Sequence, residues 1–146
     1  MLKLSTKGRY GVRLMLDLAL HFGKGPISLK DISKRQEISE KYLWHLIPPL
    51  KNAGLVTATR GAHGGYILAK PASQINLQEI VSLLEGPMRL VECTQDLGAC
   101  RRSNNCIVRD IWTEATDKFL DILSSFTLES IIKRHNGRFE AVVYNI

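Results

Sequence analysis

Long apolar runs are absent from this 146-residue sequence. No segment approaches the roughly 18 consecutive apolar residues that a membrane-spanning helix needs. The apolar stretch VRLMLDLAL near the N-terminus contains Arg13 and Asp17. No small-residue cleavage pattern follows this stretch, so it does not resemble a secretory signal peptide. We therefore expect a cytoplasmic protein without a membrane partner.

Signatures of catalysis are also missing. The sequence has no glycine-rich phosphate-binding loop and no recognisable Ser/His/Asp or Cys/His arrangement, and its four histidines are scattered. With 45% apolar and 23% charged residues, the composition is that of an ordinary globular protein. These features predict a folded protein that is not an enzyme.

Positive charge is concentrated in one half of the chain. Residues 1–72 contain 12 Lys and Arg against 4 Asp and Glu, whereas residues 73–146 contain 8 against 10. A basic half of this kind favours contact with a polyanion such as nucleic acid. The alternative is a solvated basic surface that binds nothing.

Ser5 is predicted to cap a first helix that runs to about Phe22. Two short helices are predicted after it inside the basic half, and Gly54 is predicted to stop the second of them. Ser28 precedes LKDISKRQ and Ser39 precedes EKYLWHLIPPLKNAG, and serine is a preferred residue immediately before a helix. A short turn separates the two segments, and spaced Leu and Ile give each a buried face, which is typical of a helix-turn-helix. Pro48 and Pro49 predict an interruption and a kink in the second helix because they remove two backbone donors. An ordinary helical hairpin is the alternative.

A β-hairpin is predicted directly after these helices. The stretches LVTATR and YILAK alternate in polarity and flank GAHGG. The glycines of this tip permit positive φ and close approach of the backbone to another chain or a phosphate. Together the elements predict a winged helix-turn-helix over residues 1–72, with Lys41, Trp44 and His45 exposed on the second helix and Arg60 and His63 on the wing. A flexible hairpin without a DNA-binding role is the alternative.

The second half is predicted to contain a connecting helix within 73–92, a loop over 93–106 and a dimerisation segment over 107–146. Asn76 caps the connecting helix. A longer helix from about Ile107 to Phe126 has an apolar stripe at steps of three and four, and the stripe consists of Val108, Ile111, Ala115, Phe119, Ile122 and Phe126. Too little chain follows to cover it, so a second subunit is predicted to bury it. The alternative is packing against its own domain.

The predicted fold is mainly α-helical with a small β-hairpin wing. The residues after the long helix, from Thr127, are predicted to form one or two helical turns. The sequence RFEAVVYNI, over 138–146, is then predicted to end the chain in a strand-like run.

All three cysteines lie within the fourteen residues CTQDLGACRRSNNC, at Cys93, Cys100 and Cys106. Cytoplasmic thiols stay reduced, so clustered cysteines indicate metal or redox chemistry rather than disulfides. Iron and zinc both accept thiolate ligands, but zinc ribbons use closer CxxC pairs. An iron–sulfur cluster is favoured, and zinc binding and thiol redox sensing remain alternatives.

Four segments of this chain resemble one family over nearly its whole length. They are LSTKGRYGVRLMLDLA, ISEKYLWHLIPPLKNAGLV, RGAHGGYIL and the three-cysteine loop before a long helix. They resemble the dimeric winged-helix transcription regulators typified by IscR, NsrR and CymR. The resemblance implies a homodimeric regulator, most often a repressor, that binds double-stranded DNA at a pseudo-palindromic operator.

The resemblance also implies specific site residues. In the iron–sulfur branch three cysteines hold the cluster, which here would be Cys93, Cys100 and Cys106, with [2Fe-2S] favoured over [4Fe-4S]. The candidate DNA-binding residues are Ser28, Ser39, Lys41, Tyr42, Trp44, His45, Arg60, Gly61, His63 and Gly64.

Two cluster positions depart from the family pattern. Arg109 stands where IscR-type members have a histidine ligand, and Arg9 stands where NsrR-type members supply a carboxylate. Arginine is permanently charged and is not an iron ligand. The fourth position therefore stays open, and the candidates are Asp110, His135, a group of the partner subunit, a small molecule, or no ligand.

The recognition segment departs from the pattern as well. Trp44 and His45 replace the Glu-Gln pair common in the family, and an indole donates a hydrogen bond where a carboxylate accepts one. The operator is therefore expected to differ from that of IscR. The resemblance suggests control of iron–sulfur assembly or sulfur metabolism genes. The alternative is a cysteine-metabolism or redox regulator controlled by a metabolic enzyme or by thiol oxidation, without a cluster.

Overall fold

The computed structural model describes residues 3–144. Six helices and one hairpin follow in the order α1 (Thr6–Leu20), α2 (Leu29–Gln36), α3 (Glu40–Asn52), β1 (Val56–Thr59), β2 (Gly65–Leu68), α4 (Leu77–Glu85), α5 (Ile107–Ser125) and α6 (Leu128–Tyr144). This mainly helical architecture with one antiparallel hairpin confirms the predicted fold class. Within 3–144, none of the helices has the length and apolar character needed to cross a membrane.

Side-chain caps fix the start of four helices. The Oγ atoms of Ser5, Ser28 and Ser39 and the Oδ1 atom of Asn76 each accept a hydrogen bond from the backbone N–H three residues later. Each cap satisfies a donor that a helix N-terminus leaves without an intrahelical partner. The predicted starts of α1, α2, α3 and α4 are thereby confirmed.

The end of α3 is also determined locally. Gly54 has φ +73°, and its N–H donates to Lys51 O at 3.0 Å. The N–H of Leu55 donates to Leu50 O, also at 3.0 Å. This pair of bonds is a Schellman motif, in which glycine supplies the left-handed residue. The predicted stop at Gly54 is confirmed.

The predicted interruption at Pro48 and Pro49 is wrong, because α3 continues through both residues to Asn52. Each proline removes a bond to the carbonyl four residues earlier, which belongs to Trp44 and to His45. Both of these residues are exposed, so water can solvate their carbonyls. The opposite face of α3 is buried in the core, and this packing maintains the helix.

The predicted C-terminal strand is also wrong, because α6 extends from Leu128 to Tyr144. Residues 145–146 lie outside the described part of the chain. Leu128 is fully buried and Ile132 packs against the core, so α6 is a full helix rather than one or two turns. Within 3–144 the sheet consists of β1 and β2 alone, and the C-terminal segment has no strand partner there to satisfy an extended backbone.

Two glycines in the STKGRYG segment let α1 lie close to α4. A Cβ atom added to Gly8 would overlap the carboxylate of Glu85, and one added to Gly11 would overlap the buried side chain of Leu84. The Oε1 atom of Glu85 accepts hydrogen bonds from the N–H of Ser5 at 2.8 Å and from its Oγ at 2.6 Å. The glycine spacing of this segment is therefore explained by helix packing.

The turn between α5 and α6 is joined to the start of α4. The N–H of Leu77 donates to Phe126 O and the N–H of Leu128 donates to Ile75 O, both at 2.9 Å. Helix α6 also packs against α1. This junction brings the C-terminal half into contact with the first helix of the basic half.

Candidate nucleic-acid interface and cysteine loop

Helix α3 separates a buried face from an exposed one. The buried face consists of Leu43, Leu46, Ile47 and Leu50. The exposed face near the N-terminal end carries Lys41, Trp44 and His45. Trp44 is 57% exposed. These three predicted site residues lie together on one surface.

Tyr42 is half-buried and is held by α1. Its ring meets that of Tyr10 edge-on, with the centroids 5.5 Å apart. The guanidinium carbon of Arg13 lies 5.3 Å from the centroid of the Tyr10 ring, which is within the range of a cation–π contact. This stack positions the start of α3 against α1.

The wing places Arg60, Gly61 and His63 in solvent at its tip. Thr59 pairs with Gly65 at the end of the strands, and Gly64 N–H donates to Gly61 O at 3.0 Å. Gly61 has φ +114°, which favours glycine. A Cβ atom on Gly64 would overlap the carbonyl of Thr59, so this glycine is required by the turn itself.

Gly65 anchors the wing to the protein body, a role that only the folded structure reveals. It has φ +156°, and a Cβ atom there would overlap the backbone of Ile27. Next to it, Tyr66 N–H donates to Ile27 O at 2.8 Å and Ile27 N–H donates to Tyr66 O at 3.0 Å. The adjacent glycines Gly64 and Gly65 are visible in the sequence, but Ile27, which contacts Gly65, lies 38 residues earlier in the chain.

A buried carboxylate, which no local sequence pattern indicates, connects α1 to the end of α2. Asp17 is only 1% exposed. Its oxygens accept hydrogen bonds from Arg35 Nε at 3.0 Å, Arg35 Nη2 at 2.8 Å and Gln36 Nε2 at 3.0 Å. The hydrogen bond to Asp17 is the main cause that raises the pKa of Arg35.

The same network reaches the turn between α2 and α3. The Nη2 atom of Arg13 donates to the carbonyl of Gln36, and its Nε atom donates to Gln36 Oε1 at 3.3 Å. The next residue, Glu37, is in the left-handed region with φ 54°. The network therefore fixes the residues at which the chain turns from α2 into α3.

The cysteine loop consists of three short 3₁₀ turns, over Glu92–Thr94, Leu97–Ala99 and Ser103–Asn105. Cys93 and Cys106 are half-buried and Cys100 is exposed, and all three are free thiols. Cys106 immediately precedes α5. Among residues 3–144, no three His, Cys, Asp or Glu side chains are grouped as a metal ion would require.

Arg109 has a structural position in the first turn of α5. Its Nε atom donates to the backbone carbonyl of Cys93 at 2.8 Å, so it ties the start of the cysteine loop to the helix that follows the loop. At the third turn of the loop, the Oγ atom of Ser103 donates to Cys100 O at 2.8 Å. Both hydrogen bonds therefore hold the loop backbone in place.

The two candidate fourth ligands of this chain lie in different places. Asp110 and Cys106 line the same open cavity of about 400 Å³ beside the loop. His135 instead lines a groove with Leu16 and Phe126, next to the α5–α6 turn. Within one subunit, Asp110 is therefore the candidate that shares a cavity with one of the thiols, that of Cys106.

The sequence of this chain matches a known protein family and several known proteins. Residues 4–134 match the family model described as Rrf2, iron-dependent transcriptional regulator. Protein rrf2 of Nitratidesulfovibrio vulgaris is 44% identical over 132 residues, covering 90% of this chain and 88% of the relative. The HTH-type transcriptional regulator CymR of Bacillus subtilis is 40% identical over 145 residues, covering 99% of this chain and all of the relative.

Solved structures agree with this placement. The structure of CymR, described as the global cysteine regulator of B. subtilis, matches with a TM-score of 0.77 at 42% identity, covering 92% of this chain and 98% of that one. The structure of T. potens IscR matches with a TM-score of 0.75 at 41% identity, covering 92% of this chain and 88% of that one.

Proposed function

The chain belongs to the Rrf2 family of transcriptional regulators, and we propose that it is a homodimeric repressor that responds to an iron–sulfur cluster. The family model and the relatives CymR and IscR are named as transcriptional regulators rather than enzymes, which agrees with the absence of a catalytic signature in the sequence. The proposed location is the cytoplasm, where the DNA is.

The DNA-binding surface in this proposal is formed by α3 and the wing. Lys41, Trp44 and His45 would face base edges in the major groove, and Arg60 at the wing would enter a minor groove or contact the flanking phosphates. The observation that carries this proposal is the exposure of these side chains together on a basic half of the chain. Ser28 and Ser39 would contribute through their helix caps.

Dimerisation in this proposal uses the apolar face of α5. Thr116 is the buried residue of α5 within one subunit, whereas Val108, Ile111 and Ile122 are 48%, 53% and 58% exposed. A long helix with a solvent-exposed apolar stripe is stabilised by burial against a copy of itself. A two-fold dimer would place two recognition helices on half-sites about one helical turn of DNA apart, which fits a pseudo-palindromic operator.

Arg60→Ala is expected to raise the Kd for an operator fragment about tenfold, because it removes a permanent cation from the wing. The slope of log affinity against log salt concentration should decrease by about 1 if the contact is to a phosphate. Fluorescence anisotropy with an operator selected from a random DNA pool would measure both quantities.

Lys133→Ala is the matched control for Arg60→Ala. Lys133 is exposed on α6 and pairs with Glu129 at 3.4 Å, so its loss removes a cation from outside the proposed interface. It should leave the Kd within about twofold. Equal affinity of the Arg60→Ala variant and the unmodified protein would show that the wing does not contact the operator.

The cysteine loop is the proposed site of the cluster. Three free thiols on one short loop have the donor chemistry that iron–sulfur clusters require. In the described residues they are not gathered for a metal, so binding requires the loop to close around the group. Cys93, Cys100 and Cys106 would supply the thiolates, and Asp110 is the nearby carboxylate. A cluster, when bound, supplies a redox-active centre that oxidants and nitric oxide can damage.

The proposed coupling runs from the loop to α5. Arg109 joins the Cys93 carbonyl to the first turn of α5, and Cys106 directly precedes that helix. A change in the loop would therefore act on α5. Since α5 is the proposed dimer helix, even a small rotation would change the separation of the two recognition helices.

The second candidate is a cysteine-metabolism or redox regulator without a cluster. The near-complete match to B. subtilis CymR, described as the global cysteine regulator, favours it. In that case a metabolic enzyme partner or thiol oxidation would control DNA binding.

One experiment separates the two candidates. Protein purified without oxygen is expected to be brown, to absorb visible light and to contain iron and acid-labile sulfide. Single Cys→Ser variants at 93, 100 and 106 should lose the colour. A colourless protein, or one that contains only zinc, would contradict the cluster. DNA binding by that colourless protein would then support the second candidate.

A further inference from the structure

An open groove lies between α1, the start of α4 and α6. It has a volume of about 410 Å³, which is within the range of roughly 300–1,000 Å³ typical of small-molecule sites. Its apolar residues are Leu16, Leu77, Phe126 and Ile131, and its polar residues are Arg134, His135 and Arg138. The cysteine ligands and the exposed DNA-facing side chains do not line it.

The apolar residues form a half-buried floor. Leu16 belongs to α1 and Leu77 to α4, while Phe126 is in the turn between α5 and α6. The backbones of Leu77 and Phe126 are joined by a hydrogen bond of 2.9 Å, so this part of the floor is fixed. An apolar group placed there would contact three elements at once.

The cationic rim comes from α6. Arg134 and Arg138 are one turn apart and therefore project from the same face of the helix. The guanidinium carbon of Arg134 lies 4.8 Å from the centroid of the Phe126 ring, which places the charge directly over the apolar floor. No carboxylate of the described residues forms an ion pair with Arg134 or Arg138, whereas Lys133, on the same helix, pairs with Glu129.

We propose that this groove binds a small amphipathic organic anion, with an apolar body against Leu16 and Phe126 and an acidic head group held by Arg134 and Arg138. The apolar floor fits the apolar body of such a molecule, and the two arginines, which have no acidic partners among the described residues, fit its anionic head group. Guanidinium groups form strong, charge-assisted hydrogen bonds with carboxylate and phosphate oxygens. The ligand would contact α1 of the DNA-binding half and α6 of the C-terminal half together.

Calorimetric titration of the purified dimer with decanoate, below its micellar concentration, tests this proposal. Saturable binding of one decanoate per subunit is expected. Decanol lacks the charge and acetate lacks the apolar body, so each should bind at least about tenfold more weakly. The Arg134→Gln/Arg138→Gln double variant should weaken decanoate binding about tenfold or more. Phe126→Leu, which keeps an apolar floor of smaller area, should weaken it less.

Lys133→Gln is the matched control, since it removes a positive charge from the same helix outside the groove. It should bind decanoate as the unmodified protein does, and circular dichroism melts should show that all variants are folded. The proposal is overturned if decanoate does not saturate, or if the double variant binds it unchanged. It is also overturned if the double variant dissociates the dimer in sedimentation experiments, because the groove would then belong to a subunit interface.

Discussion

Asp17→Ala is expected to lower the free energy of unfolding by about 3 kcal/mol. Breaking a buried ion pair by removing one partner typically costs about 3–5 kcal/mol. The lower end of this range applies because the Arg35 side chain is 38% exposed, so water can solvate its charge after Asp17 is removed. The loss also leaves Gln36 without an acceptor for its side-chain amide, which adds to the cost.

Thermal denaturation at one fixed protein concentration would measure this effect, since the stability of a dimer depends on concentration. For a chain of this length, the melting temperature should fall by about 10 °C. Asp117→Ala is the control. Asp117 is 61% exposed and lies 3.5 Å from Arg89, and a surface pair of this kind contributes about 0–1 kcal/mol.

A double-mutant cycle with Arg35→Ala tests whether the effect comes from the pair. The double variant should be less destabilised than the sum of the two single variants, by at least about 1 kcal/mol. Strict additivity would mean that Asp17 acts through other contacts. A melting temperature for Asp17→Ala within a degree or two of the unmodified protein would show that the buried network does not stabilise the fold.

Gly65→Ala is expected to detach the wing from the body of the protein. The added Cβ atom would overlap the backbone of Ile27, which cannot move without breaking its two hydrogen bonds to Tyr66. Two lost bonds and the strained φ together predict a cost of about 2–4 kcal/mol. Operator affinity should fall as well, because the wing would no longer be fixed relative to α3.

Gly61→Ala distinguishes the cost of backbone strain from the cost of the overlap with Ile27. Gly61 also has positive φ, at +114°, but a Cβ atom there would meet nothing within 4 Å. Its replacement should therefore cost only the strain, about 1–2 kcal/mol. Thermal melts and hydrogen exchange of the Tyr66 amide would compare the two variants. A Gly61→Ala variant as destabilised as Gly65→Ala would rule out the contact with Ile27 as the cause.

Much of the fold follows from signals that act within a few residues. The caps at Ser5, Ser28, Ser39 and Asn76 and the stop at Gly54 involve partners three to five residues away. Hydrophobic spacing of three and four is equally local. These features of the sequence therefore predicted the helices of the first half, and the glycine tip between alternating stretches predicted the wing.

The errors arose where packing overrides a local preference. Pro48 and Pro49 disfavour a helix, but the buried face of α3 and the exposure of the released carbonyls keep it intact. The segment RFEAVVYNI alternates like a strand, but its residues 138–144 continue α6, whose first turns pack on the core through Leu128 and Ile132. Local propensity contributes about 1 kcal/mol or less per ordinary residue, and a row of buried side chains exceeds it.

The sequence by itself determined the types of the elements before α6, the basic half, the cysteine loop and the family resemblance, because each depends on residues near one another in the chain. Only the tertiary structure identified Arg35 as the partner of Asp17, Ile27 as the neighbour of Gly65, and the cationic groove between α1 and α6. These contacts join residues 18 or more positions apart. A single sequence carries no local signal for such a partner, because only the packing of the folded chain brings the two groups together.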